Sequence, residues 1–274
     1  MAMHYDSRPS SALNWGCRVA LLESRELRSV ESARYLSNRE IAKYIVLPSQ
    51  SRRSAWLAGR LAAKYLFLNR LEMSAETNRQ WVPTLVKLSS QALGAYSPWM
   101  YQQVEVLPSE STSSHPKIVW CGKDRRESVS LSHAGGASCA CIGIGSPTAV
   151  DIETAVPRID AFYRNTFTRA ERDWVARGAE GESIRSDWLY TLLWTLKESA
   201  LKLGWVNPAS VWDLPRIEID GLPGLNHIGQ FWYSRKMDNE FVVSTARVRE
   251  HCRAMQTQVA FTGTRNLILT VMNL

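Results

Sequence analysis

The sequence predicts an α+β fold in which helices pack on antiparallel sheet. Three patterns point there. Two long stretches, Arg52–Asn69 and Asp187–Leu203, carry apolar residues at helical spacing. Between them, short β-rich segments are joined by tight Gly and Pro turns. After residue 205, further strand-like segments alternate with turns.

Residues 1–12 read as a loose tail and Trp15–Leu22 as a first strand. Residues 24–46 mix arginine and glutamate with periodic apolar positions and are expected to be partly helical. Pro48–Ser51 punctuates the chain before the first long helix, whose stripe is Trp56, Leu57, Ala63, Leu66 and Phe67. Residues 74–98 are expected to hold another helix, and residues 108–116, rich in Ser and Pro, a loop. Val129–Ser132, Cys139–Ile144 and Ala149–Glu153 read as strands of an antiparallel meander, turning at Ala134–Ala137 and Gly145–Pro147. A helical region is expected over residues 158–175. In the second long helix Leu189, Leu192, Leu193, Leu196, Ala200 and Leu203 share one face. The last strands fall at Arg216–Asp220, Phe231–Tyr233, Phe241–Ala246, Gln258–Phe261 and Leu267–Val271. No internal repeat is visible residue by residue.

The chain has 274 residues, enough for one large domain or two small ones with a real core. Its 45% apolar and 22% charged content argues for an ordinary soluble globular protein and against a disordered one. Its 11 tryptophans read as large core fillers. The formal net charge of +7 favours an acidic partner: nucleic acid, anionic membrane, acidic protein or phosphorylated small molecule. No lysine/arginine run and no helix-turn-helix, zinc or RNP signature supports nucleic acid. No apolar run is long enough to span a bilayer, and Met1–Ser11 lacks an apolar signal core. The 5 cysteines are odd in number and form no CxxC pair, so they are expected to be reduced thiols in a cytoplasmic protein.

Four stretches could do chemistry. In Ala149-Val-Asp151-Ile-Glu153, a strand turns both carboxylates to one face. They repel unless a cation or proton joins them, and a hard ion such as Mg²⁺ suits oxygen donors. The plain alternative is a solvated sheet face. In Trp194–Lys202, Glu198 and Lys202 lie at i, i+4, opposite the leucine stripe and in line with Thr191 and Thr195. That is either an exposed salt bridge or a third metal carboxylate with a phosphate-binding cation one turn away. In Ser130-Leu-Ser132-His133, a histidine at a strand end before a glycine turn could donate to a phosphate or serve structure alone. In Arg52-Arg53…Gly59-Arg60, a mid-helix glycine suggests close packing, and the arginine beside it either meets a phosphate or is solvated.

The order of Trp56–Arg60, Ser130–His133, Ala149–Glu153, Phe167-Thr-Arg-Ala-Glu171 and Trp194–Lys202 resembles the Sfp-type 4′-phosphopantetheinyl transferases. The resemblance runs from about residue 15 to residue 205. It implies two similar α+β halves related by pseudo-twofold symmetry, residues 13–145 and 146–274, with coenzyme A (CoA) between them. It implies that Asp151, Glu153 and Glu198 hold Mg²⁺, with Mn²⁺ a possible replacement. Glu198 would take the proton of a carrier-protein serine, directly or through water, and Lys202 would neutralise phosphate charge. Ser132, His133 and Arg60 would anchor CoA, the last two chiefly at its 3′-phosphate, with Arg53 and Lys197 as further contacts. Where the family has Gly-Lys-Pro, this chain has Ser114-His115-Pro116-Lys117, so His115 or Lys117 takes the place of the phosphate-binding lysine. Gly204-Trp205-Val206 departs from the family's glycine loop on the carrier side. The resemblance further implies a monomer acting on acidic acyl or peptidyl carrier proteins. A CoA- or nucleotide-binding relative without transfer activity is the alternative.

Overall fold

A computed structural model describes residues 17–27, 32–72, 83–108, 116–143, 146–182, 184–204, 217–220, 222, 241–250, 253–263 and 266–273. It is α+β, as expected. Strand β1 (Cys17–Glu23) leads through short helix α1 (Asn38–Tyr44) to long helix α2 (Gln50–Glu72). Ser37 caps α1 and accepts from the Glu40 amide, while the Glu40 carboxylate accepts from the Ser37 amide, a reciprocal capping box. Strand β2 (Thr84–Leu88) follows where a helix was expected over 74–98; residues 74–82 lie outside the described ones, and among the described residues of this region only the short α3 (Ser90–Leu93) and α4 (Pro98–Gln103) are helical. Only Leu85 and Leu88 of β2 are buried, three apart, so burial along it has no strand alternation; β2 is set by its parallel pairing with β1, a partner too distant in sequence for local periodicity to show. The expected loop at 108–116 is flanked by β3 (Val104–Pro108) and β4 (Pro116–Trp120), which pair with each other, and β4 also pairs with β5 (Lys123–Asp124).

Strands β6 (Ser128–Ala134) and β7 (Ala137–Gly143) form the predicted hairpin. Its turn needs positive φ at both central positions, and Gly135 (+57°) and Gly136 (+79°) supply it. The expected three-strand meander stops there. Strand β8 (Thr148–Thr154) pairs with β12 (Leu267–Asn273) of a second sheet instead. The crossing is tight: a Cβ on Gly143 would lie 2.2 Å from Thr148 Oγ1 and 2.7 Å from Ser146 O.

The 158–175 region is two helices, α5 (Asp160–Thr166) and α6 (Arg169–Glu182). Thr168 breaks it by capping α6: its Oγ1 accepts from the Glu171 amide at 3.2 Å, and Glu171 Oε2 accepts from the Thr168 amide at 2.8 Å. Long helix α7 (Ser186–Lys202) and strands β9 (Ile217–Asp220), β10 (Val242–Glu250), β11 (Arg253–Gly263) and β12 complete the chain. The expected strand at 231–233 lies outside the described residues.

The strand orders are β2-β1-β7-β6 and β8-β12-β11-β10-β9, with β3-β4-β5 apart. Three buried clusters fill the space between layers. One lies between α2 and the first sheet (Leu61, Leu66, Ala140, Ile142), and one between α7 and the second (Leu189, Leu196, Phe261, Met272). The third joins the sheets face to face through Val19, Cys139, Cys141, Val150, Ile152 and Val271. The layers therefore run helix, sheet, sheet, helix. Helix α7 buries Thr191, Thr195, Lys197 and Ser199 besides its leucine face, so the side opposite the leucines is covered rather than solvated. Each fully buried leucine there contributes roughly 1.5–3 kcal/mol relative to exposure. Cys17, Cys121, Cys139 and Cys141 are free thiols, and Cys252 lies outside the described residues. Among the described residues, no helix is long and apolar enough to cross a membrane.

Candidate active site

The two sheets meet along β6 and β8, and serine side chains join them in place of a backbone ladder. Ser128 Oγ accepts from the Thr148 amide at 3.2 Å, and Ser130 Oγ accepts from the Val150 amide at 3.1 Å. One step further Ser132 Oγ donates to Asp151 Oδ1 at 2.6 Å. The serine alternation on β6 thus aims the seam at the first acidic residue of the Asp-x-Glu pair.

Asp151 is 4% exposed. Its Oδ1 also receives Lys202 Nζ at 2.7 Å, and the same ammonium donates to Val150 O at 3.0 Å. The lysine at the end of α7 is therefore paired with the strand carboxylate and not with Glu198 one turn before it, contrary to a simple i, i+4 bridge. Asp151 Oδ2 is buried with no hydrogen-bond partner. Burial, then the Asp151 charge, pushes the Glu153 carboxyl above its ordinary range, while Arg158, 3.8 Å away, and a hydrogen bond with Trp194 pull it back. Glu198 is raised in the same way, by burial first and then by Asp151, with Glu153 adding and Lys202 opposing. The mutual repulsion places all three carboxylates in one electrostatic neighbourhood.

No group of three or more His, Cys, Asp or Glu set to hold a metal ion occurs among the described residues. Asp151 is turned to Lys202, and Glu153 to Arg158 and Trp194. The donor set nevertheless suits a hard divalent ion: oxygen ligands only, two carboxyls raised by burial and then by neighbouring carboxylates, and an orphaned carboxylate oxygen that a cation would satisfy.

Beside this cluster lies a pocket of about 400 Å³ lined by Leu47, Arg52, Ala55, Trp56, Gly59, Arg60, Leu131, Ser132 and His133. Helix α2 and strand β6 supply its walls. Ser132 belongs to both sites, since it lines the pocket and bonds Asp151. The Arg60 guanidinium carbon sits 3.4 Å from the centroid of the Trp56 ring, and its Nη1 donates to Trp56 O at 3.5 Å. Its Nε is buried with no partner, and burial pulls its pKa down from the ordinary guanidinium range to about 10. A half-buried cation lining an open pocket is chemistry suited to an anion. Gly59 opens onto the pocket, and a Cβ there would meet Ser138 only at 4.0 Å, an ordinary contact, so helix–sheet packing does not demand glycine at this position.

The structure thus brings Arg60, Ser132 and His133 to one pocket, and Asp151, Glu153, Glu198 and Lys202 to its neighbour. Arg53 is half-buried with an unpartnered Nε, and Arg52 rather than Arg53 lines the pocket. Lys197 is not brought to either site. It is fully buried, with Nζ 2.7 Å from Glu171 Oε2 and donating to Thr166 O at 2.9 Å. His115 and the 205–206 loop lie outside the described residues. Lys117 is 3.0 Å from Asp124. The sequence reading missed the bonds of Ser128 and Ser130 across the seam, which alternating serines on one strand could have signalled. It also missed Trp56 as the platform for Arg60, for which the i, i+4 spacing was the available signal.

Residues 147–227 match the family model of the 4′-phosphopantetheinyl transferase superfamily, whose members transfer phosphopantetheine from CoA to carrier proteins. The matched stretch contains Asp151, Glu153, Glu171, Glu198 and Lys202 and ends short of the Arg60 pocket. No curated protein matches the chain.

Proposed function

We propose that the chain transfers the 4′-phosphopantetheine arm of CoA to a serine of an apo carrier protein, as an Mg²⁺-dependent enzyme of the Sfp type. The observation that carries this is the junction at Ser132, where a pocket lined by a half-buried arginine with an unpartnered Nε adjoins three mutually repelling carboxylates and a lysine. The pocket size falls in the range typical of small-molecule sites. In this reading the chain divides near Gly145 into two halves, and the substrate sits where they meet.

Arg60 and His133 bind the 3′-phosphate of CoA, with Ser132 beside them and Arg53 near. His115 or Lys117 stands in for the family's phosphate-binding lysine. Asp151, Glu153 and Glu198 would hold Mg²⁺, which when bound offsets the charge of the CoA diphosphate. Glu198, whose carboxyl is raised by burial and then by Asp151, accepts the proton of the attacking serine. Serine Oγ bonds to the pantetheine-bearing phosphorus as the bond to the second phosphate breaks. Lys202 steadies the charge on the departing 3′,5′-ADP. The +7 chain attracts acidic carriers by steering, and it works as a cytoplasmic monomer.

The test is direct. Incubation with CoA, Mg²⁺ and a panel of apo acyl and peptidyl carrier proteins should add one phosphopantetheine group to a carrier, read by mass spectrometry. CoA binding without a mass gain on any carrier would instead support the binding-only relative.

A further inference from the structure

Two buried ion pairs have no part in the chemistry above. In the C-terminal half, Lys197 on α7 pairs with Glu171 at 2.7 Å, with side-chain exposures of 0% and 1%. In the N-terminal half, Lys64 on α2 pairs with Glu40, both fully buried. The surroundings repeat in detail. Each glutamate is the third residue of a capping box, accepting from the Ser37 or Thr168 amide. The other oxygen of each accepts from a strand amide: Val106 at 3.0 Å for Glu40, Ile219 at 2.9 Å for Glu171. Each lysine also donates to the backbone before its partner helix, at Tyr35 O (2.9 Å) or Thr166 O (2.9 Å). One device therefore ties a capped helix, a strand and the long helix together, and among the described residues it occurs once in each half.

Stability is a poor reason for such a device. Desolvating two charges offsets most of their attraction, so an apolar pair of similar volume would hold the core as well. Direction is a better reason, because a hydrogen-bonded tether fixes the rotation and height of a helix as apolar packing does not. The residues next to each tether are the ones the cleft needs. Lys197 adjoins Glu198. Lys64 lies one turn beyond Arg60, on the same line of α2.

We propose that these pairs are positioning residues: Lys197–Glu171 aims Glu198 at the cation site, and Lys64–Glu40 holds Arg60 in the phosphate pocket. This rests on the reading of the cleft given above. The tethers act separately, so their removal should separate two binding events that a general loss of structure would weaken together.

The experiment replaces each pair with uncharged residues, Lys197→Met with Glu171→Gln and Lys64→Met with Glu40→Gln, so that no lone charge is left buried. On the full chain, Mn²⁺ binding is read by electron paramagnetic resonance and 3′,5′-ADP binding by calorimetry, each ligand alone. The first variant should bind Mn²⁺ about ten- to a hundredfold more weakly, the range for outer-shell ligand partners, with 3′,5′-ADP affinity kept. The second should lose 3′,5′-ADP affinity about tenfold, near the low end of that range, and keep Mn²⁺. Equal losses of both ligands in each variant, or unchanged affinities in folded variants, would overturn the proposal. If circular dichroism shows a double variant unfolded, Glu171→Asp or Glu40→Asp, which retracts the carboxylate but keeps its charge, is judged by the same split. A wild type that binds both ligands but modifies no carrier would end the transfer reading and leave this one standing. A wild type that binds neither would end both.

Discussion

Replacing Arg60 with methionine separates binding from stability. Methionine keeps an unbranched chain against the Trp56 ring and removes the charge. Burial lowers the Arg60 pKa from the ordinary guanidinium range to about 10, so holding it charged costs the folded state about 3 kcal/mol at 1.36 kcal/mol per unit. The stack on Trp56 returns about 1–2 kcal/mol of that. Arg60→Met should therefore leave the ligand-free protein as stable as before or more stable by roughly 1 kcal/mol, measured by urea unfolding. The cost is present in full below pH 10, where the group is charged in both states. The unfolded chain binds the extra proton only above about pH 10, up to the ordinary guanidinium range, so stability rises with pH there and is flat in this respect near neutrality. Binding should move the other way. Losing charged hydrogen bonds to a phosphate costs about 1.5–3 kcal/mol, or roughly ten- to 150-fold in affinity. Calorimetry with 3′,5′-ADP and with 5′-AMP reads this, and the loss should be confined to the ligand carrying the 3′-phosphate. A variant destabilised by 2 kcal/mol or more, on the order of a broken buried contact, with unchanged 3′,5′-ADP affinity would make Arg60 a structural residue and refute the argument.

Other substitutions test neighbouring links. Gly143→Ala should destabilise by about 1–3 kcal/mol, because its Cβ has no room against Thr148 and Ser146 where the chain changes sheets; urea unfolding with an unaltered midpoint would show that the crossing relaxes. Gly59→Ala should stabilise by about 1 kcal/mol through helix propensity, since a Cβ meets only an ordinary contact, and a lowered melting temperature would contradict that space. Glu198→Gln should keep the circular dichroism spectrum and slow carrier modification by about a hundredfold or more; near wild-type turnover would remove its role as base.

What the sequence made legible follows from how far apart the interacting residues lie. Helices α2 and α7 and the β6–β7 hairpin declare themselves locally, through apolar spacing and a Gly-Gly turn. The Asp151–Glu153 pair is equally local, because a strand fixes the direction of residues two apart. The partner of Lys202 was not. Spacing along α7 offers Glu198, but the helix end lies over β8, and Asp151, 51 positions away, takes the ammonium. Strand β2 was misread for the same reason, since its identity depends on β1. The pair of lysine–glutamate tethers is the clearest case. The boxes Ser37-x-x-Glu40 and Thr168-x-x-Glu171 are visible in the sequence, and so are Lys64 and Lys197, but nothing local joins them. Only tertiary contact makes each set one tether, and the helix positions around the two lysines share almost no residue types. Geometry has repeated where sequence has not, because the tether needs only a capped glutamate, a strand amide and a lysine. The remaining positions on each helix are unconstrained by the tether, and one carries Arg60 at the pocket while the other carries Glu198 beside Asp151 and Glu153.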